Sequence, residues 1–422
     1  MATERMRVLM GAEPNNFGPV AKLAAIARLL PDTCNQFIGT GIALDFARLN
    51  RGGFDDVLPS EALESNPSLI QESDFGIVVM EPDLGFSIFS SGRPFYLFDS
   101  LFDFWVLPRG LAPVLAAARE IRRVGAAAGS QIYHSFNIHE RKLMAHAFAT
   151  RSFVQNYPGV AERVEEARSL GVDNIEIVGS MVDLIETSAA SKAPAGDGWE
   201  MLVNLGGVQN FAISFNHNDH YIDLVESWTR RFLARESSCR KITLCCGRYR
   251  QPSEERIGQG VLRRELLPHD RFIAEVRRTD LYLSAPGRTA IHEAFQLRRL
   301  PLLLPEQHCN QLQNLQALRG TLIGDNALQL EKILEDYQVP EDDVLGTRMI
   351  IERTEEIASS SRLYERFDRE LSQRVEWMRG LGEREREAAL TELEPLMSGT
   401  DLSTVLRKVM AEMSERRGRG GD

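Results

Sequence analysis

Cysteine is scarce and unpatterned. Cys34, Cys239, Cys245, Cys246 and Cys309 are odd in number and lack Cys-x-x-Cys spacing. That excludes a disulfide scaffold and a structural zinc site of the usual spacing. Basic charge is short too, with 49 Lys and Arg against 60 Asp and Glu, a net charge of −11. General nucleic-acid binding, which needs cations clustered on phosphates, is therefore not expected. Long apolar runs are missing. None approaches the roughly 18 residues that span a bilayer, and "MATERMRVLM" has no apolar centre of a signal peptide. The expectation is a cytoplasmic protein. No Asp-x-Asp pair of the kind that holds a metal–diphosphate occurs, and "GTGIAL" (39–44) is an incomplete dinucleotide fingerprint. His217 and His220 in "HNDH" have ligand-like spacing but no third ligand, so they read as a surface turn.

What is present suits two globular domains. The chain has 422 residues, 43% apolar and 26% charged, enough for a real core in each half. Short apolar runs alternate with helical stretches. "RVLMGAEPNNFGPVAKLAAIARLL" (7–30) is strand, Gly/Pro loop and amphipathic helix. Strand-like runs follow at 35–41, 75–80, 94–98 and 174–179, with helices at 111–124 and 159–169 between them. That alternation predicts parallel sheet built from β-α-β units. Residues 186–199 are rich in Ala, Ser, Gly and Pro and read as a linker. The plan restarts with "MLVNLGG" (201–207), a helix over 221–235 and strands at 241–247, 280–287 and 300–305. Residues 326–336 are predicted helical, and 352–422 almost wholly so. The expected domains are 1–185, a linker 186–199, 200–350, and C-terminal helices 351–422 crossing back to the first domain. Ligands of such open sheets bind at the carboxyl ends of the strands.

The stretch "SAPGRTAIHEAFQLRRLPLLLPEQHCNQLQN" (284–314) carries the most chemistry. Gly287 and Arg288 form a turn between a buried strand and a helix starting near Thr289, whose N-terminal N–H groups suit a diphosphate. Glu293, one turn on, offers a carboxylate that accepts hydrogen bonds from a ribose cis-diol. Asn310, Gln311 and Asn314 are amides of the kind that grip hydroxyl-rich sugars without charge. Each also has a bland reading, as a strand-to-helix turn, an early-helix Glu or a polar loop.

Their order resembles the donor-binding signature of GT-B glycosyltransferases, such as natural-product glycosyltransferases and the peptidoglycan-precursor N-acetylglucosaminyltransferase. The resemblance covers about 110 residues of the C-terminal half and the N-terminal half only in layout. It implies an α/β GT-B fold, two Rossmann-like domains facing a central cleft, and transfer from a UDP- or TDP-sugar to a small-molecule acceptor. Transfer would be inverting and metal-independent, with no cofactor. By this likeness Glu293 binds the ribose, Asn310 with Gln311 the sugar, and the backbone at Phe272 and Ile273 the uracil. "NLGGVQN" (204–210), with Gly206, Gly207 and Gln209, lies on the diphosphate, which Gly287, Thr289 and Arg248 or Arg288 also stabilise. "SAPGRT" stands where relatives have His-Gly-Gly or Ser-Gly-Ala, and Glu293 lies eight residues before Pro301 instead of seven.

On the acceptor side, relatives carry a base histidine in the loop after the first strand. Here that loop has Asn15, Asn16 and Phe17, and Glu13 is its titratable group. Glu13 is the first candidate base, with Asp99 or Asp103 as the alternative. Phe102 belongs to an aromatic stretch (95–105) that reads as core or as a stacking surface for a planar acceptor. A looser likeness is to cytosine glucuronosyltransferases. Rival readings are a nucleotide-sugar 2-epimerase using His292 and His308 and a catalytically silent nucleotide-sugar-binding protein; whether the protein forms a homodimer is left open.

Overall fold

The computed structural model describes residues 5–182, 198–207, 219–247 and 250–419. It divides into two compact units, Met1–Asp183 with Leu396–Asp422, and Leu184–Pro395. The boundary falls at Pro395, inside the helix Glu383–Met397. The helical region expected from 351 is thus shared between the units. Most of the expected linker, 183–197, lies outside the described residues.

The first unit is built on β1 (Met6–Ala12), β2 (Thr33–Gly39), β3 (Asp56–Pro59), β4 (Phe75–Val79), β5 (Phe95–Asp99), β6 (Arg151–Gln155) and β7 (Ile175–Val178). They form one parallel sheet in the order β3-β2-β1-β4-β5-β6-β7. Every residue of β4 and β5 is buried. Helices therefore cover both faces, which is why these strands read as continuous apolar runs. The helix Leu402–Arg419 completes this core: Leu402, Val405, Leu406, Val409 and Met413 pack with Val8, Met10 and Phe153.

The returning segment is stitched to the end of β7. Gly179 N–H donates to Thr400 O (3.0 Å) and the Asn156 amide to Ser398 O (2.8 Å). A Cβ on Gly399 would stand 2.5 Å from the Gly179 nitrogen, so only glycine allows the two backbones to pass. Gly399→Val should destabilise this unit by about 1–3 kcal/mol through overpacking, readable as a shifted urea midpoint. An unchanged midpoint would show the contact can relax.

The second unit holds β8 (Trp199–Asn204), β9 (Cys239–Cys245), β10 (Ser253–Ile257), β11 (Gly260–Glu265), β12 (Leu281–Ser284) and β13 (Pro301–Leu303). Their order is β10-β11-β9-β8-β12-β13, parallel except for the β10/β11 hairpin at one edge. Both units are thus Rossmann-like α/β domains. The sequence reading missed β3, β6 and this hairpin. In place of the predicted helix at 326–336 stands a single 3-10 turn, Leu330–Lys332. No described helix is long and apolar enough to cross a membrane.

Candidate functional site

Each sheet reverses its winding once. In the second unit the chain runs from β8 to β9 on one side, then returns to place β12 on the other. A crevice opens at the carboxyl ends of strands at such a switch point. Asn204 pairs with Ser284, and Ser284 with Leu303, so the loops after β8, β12 and β13 start level with one another. They are braced together. Ala285 N–H donates to Asn204 O (2.8 Å), Leu304 N–H to Ser284 O (2.9 Å) and the Gln307 amide to Leu205 O (2.9 Å).

Gly206 (φ +70°) and Gly287 therefore flank the switch point, and among the described residues nothing lies within 4 Å of a Cβ on either. Gly207 continues the first loop, and Thr289 lies in the first turn of the helix Arg288–Gln296 that follows the second. Gln209 and Arg248 lie outside the described residues. Asn314 joins the amide segment to the turn. Its Nδ2 donates to Pro286 O (2.9 Å), and its Oδ1 accepts from Arg288 Nη2 (3.0 Å). Arg288 is buried, so its guanidinium braces the turn from inside. Gln311 Oε1 accepts from Gln307 N–H (2.8 Å). Asn310 differs. Its Nδ2 is buried with no hydrogen-bond partner among the described residues. An unmet buried donor costs about 1–3 kcal/mol, a debt that a ligand oxygen would offset.

Glu293 is buried and bonded to His269 Nε2 at 2.7 Å. His269 comes from the start of the helix His269–Arg278, and sequence reasoning missed it. The spacing of 24 residues carries no helical or strand period, so only the fold could join them. The pair holds one carboxylate oxygen and aims the group. The same helix carries Phe272 and Ile273. Phe272 N–H already donates to Pro268 O (2.9 Å), and Ile273 is buried within the helix. Burial holds His308 neutral, lowered to about 4, and His292 is fully buried.

In the first unit the switch point lies between β1 and β4. Glu13, just past β1, is tied to it by its N–H, which donates to Val79 O (3.0 Å). Its carboxylate forms a buried ion pair with Lys142 and accepts from Asn15 Nδ2 (3.2 Å). Lys142 also lies 3.9 Å from the centre of the Trp105 ring. Asn16 caps the helix Phe17–Arg28 by accepting from Gly18 N–H, while Phe17 packs on Phe46.

Asp99 closes β5 and is spoken for: it accepts from Trp105 Nε1 (2.6 Å) and Leu101 N–H (2.7 Å) and bonds His146 Nε2 (2.9 Å). Burial would raise its pKa, but the His146 hydrogen bond and charge, with the other donors, hold it below the ordinary value. His146 Nδ1 in turn meets Ser152 Oγ at 2.5 Å. The order is that of a nucleophile triad, yet none of the three exceeds 1% exposure, so no substrate reaches it. Asp103 lies on the loop after β5, its charge near Arg163. Phe102 is 0% exposed and packs on the His146 ring, which makes it core and leaves no face for an acceptor.

In this unit the sequence reading overlooked Glu81, two residues past the end of β4. It precedes the helix Pro82–Ser90, and Met80 before it is left-handed (φ 57°), a costly shape for methionine. Burial, Asp83 and Glu13 together raise its pKa to about 7, with Lys142 opposing. "MEPD" between an apolar strand and a Pro-led helix was the available signal.

No family model and no curated protein matches the chain. Several solved structures resemble it along its length. One, the glycotransferase of kitacinnamycin, is 15% identical (TM-score 0.46, covering 93% of this chain and 100% of that one). Another is Phytolacca americana UGT2 complexed with UDP-2fluoro-glucose and pterostilbene, 12% identical (0.49, 97% and 100%). A third is CalG4, the calicheamicin glycosyltransferase, 12% identical (0.41, 93% and 98%). At those scores the likeness adds no weight to what the strand orders establish.

Proposed function

We propose that the protein is a GT-B glycosyltransferase that moves a sugar, with inversion and without a metal, from a UDP- or TDP-sugar to a small-molecule acceptor. The observation that supports this best is the β8/β12 switch point. Among the described residues a glycine on each side faces open space there and the Asn310 Nδ2 lacks a partner, and the Glu293 carboxylate is oriented by His269. The diphosphate would lie against the glycine loop 206–207 and on the N–H groups at the start of the helix Arg288–Gln296, whose terminus favours negative charge. Such preorganised donors are each worth roughly 2.7–4 kcal/mol when charge develops on a leaving group. Glu293 would accept from the ribose hydroxyls, and Asn310 would meet a sugar hydroxyl.

Calorimetry with UDP, followed by a panel of UDP- and TDP-sugars with candidate acceptors including cytosine, tests the reading. Saturable UDP binding and glycoside formation support it. Sugar isomerisation would point to the epimerase, and absence of nucleotide binding would end the proposal. His269→Ala should weaken UDP binding about tenfold by leaving Glu293 unaimed, the loss of roughly one hydrogen bond to a charged group. Calorimetry at constant pH checks this, and unchanged affinity would remove His269 from the site.

A further inference from the structure

We infer that Glu81 is the group that takes the acceptor's proton, an assignment that rests on the glycosyl-transfer reading. Its position comes from the topology of the first unit. Open α/β sheets bind ligands at the switch point, and the two loops flanking it here begin at Glu13 and at Met80–Glu81. Glu13 is occupied by Lys142, and Asp99 is sealed in the core. Glu81 keeps part of its surface, and among the described residues no cation pairs with it. At the same end of this sheet Gln155, the last residue of β6, is 1% exposed with both side-chain amide atoms unpartnered among the described residues.

The surroundings suit a base. From the loop after β1 comes Glu13. The helix Ile138–Phe148 brings Lys142 and Arg141, and Glu81's own helix brings Asp83. Asp83 pairs with Arg141 (2.6 Å) and accepts from the Tyr133 hydroxyl (3.0 Å) of the helix Ala126–His134. His139 is burial-lowered to about 4 and adds no charge at neutral pH. Burial, with the carboxylates of Asp83 and Glu13 beside it, thus weakens Glu81 as an acid, as a base working near neutrality requires. In the step, the acceptor's O–H or N–H bond breaks toward Glu81 and its lone pair bonds to the anomeric carbon. The bond from that carbon to the diphosphate oxygen breaks with its electron pair, releasing UDP. Glu81 then returns the proton to water.

The test uses the full chain, UDP-glucose, and water as the probe acceptor, following UDP release while calorimetry measures UDP binding. Glu81→Gln should cut release at least 100-fold, leave UDP affinity within twofold, and abolish the rise in rate through about pH 7. Glu81→Asp should restore part of the rate. Folding is read separately. The folded chain binds this proton more tightly than the unfolded one, so Glu81's contribution to stability is full below about 4.5 and is lost as pH rises through about 7. Glu81→Gln should therefore melt higher than wild type at pH 8 and show no such gain at pH 4. A Glu81→Gln protein that releases UDP at the wild-type rate overturns the assignment while leaving nucleotide binding intact. A wild type that binds UDP but never releases it from UDP-glucose overturns it as well. A wild type that binds no UDP overturns the underlying reading instead.

Discussion

Glu293→Ala is expected to weaken UDP binding by about 100-fold or more with the fold intact. Hydrogen bonds to a charged acceptor are worth roughly 1.5–3 kcal/mol each, and about 1.4 kcal/mol is a factor of ten in affinity. His269 takes only one of the carboxylate's lone-pair positions, so both ribose hydroxyls can still be received. Glu293→Gln should lose less, because the amide keeps one acceptor. Nucleotide titration, beside melting curves to show that the unit remains folded, checks both. If Glu293→Ala leaves UDP affinity unchanged, the ribose does not lie there.

Lys142→Met should have the largest effect on stability. It removes the cation from a buried pair and leaves the Glu13 carboxylate, 10% exposed, without its counter-charge. Breaking one side of such a pair typically costs about 3–5 kcal/mol, whereas replacing both sides with apolar residues is often nearly neutral. Urea unfolding of the single variant should show that loss, and Lys142→Met with Glu13→Leu should recover most of it. Equal destabilisation in the double variant would mean that the packing of Lys142 on Trp105 matters more than the ion pair. Lys142 also helps to keep Glu81 ionised. Removing it should push Glu81 further above about 7 and move the pH profile of turnover to the alkaline side.

The two effects separate what is legible in a chain from what is not. β4 and β5 are readable because a strand covered on both faces must be apolar throughout. β6 (RSFVQ) escapes because its buried Ser152 and Gln155 interrupt the apolar run, and the β10/β11 hairpin because edge and half-exposed positions dilute that signal. Residues 253–257 of the hairpin alternate between half-buried and exposed, with Glu254, Glu255 and Arg256 in the centre. The predicted helix at 326–336 fails for a related reason: Leu328, Leu330, Ile333 and Leu334 are all buried, but by a tight turn against the end of the sheet. Apolar spacing there records burial and not period.

By itself the sequence determined two α/β units, the glycine turn at 287, and the order of carboxylate and amides around the strand Pro301–Leu303. All of these are local, since turn chemistry and strand period act within a few residues. Only the tertiary structure decided which groups meet. Glu13 is 129 residues from its lysine and Asp99 is 47 from its histidine, and Glu81 joins them only because β1 and β4 are neighbours in the sheet. Charge and burial, which set whether a carboxylate is a brace or a base, are properties of that spatial neighbourhood and leave no period in the chain.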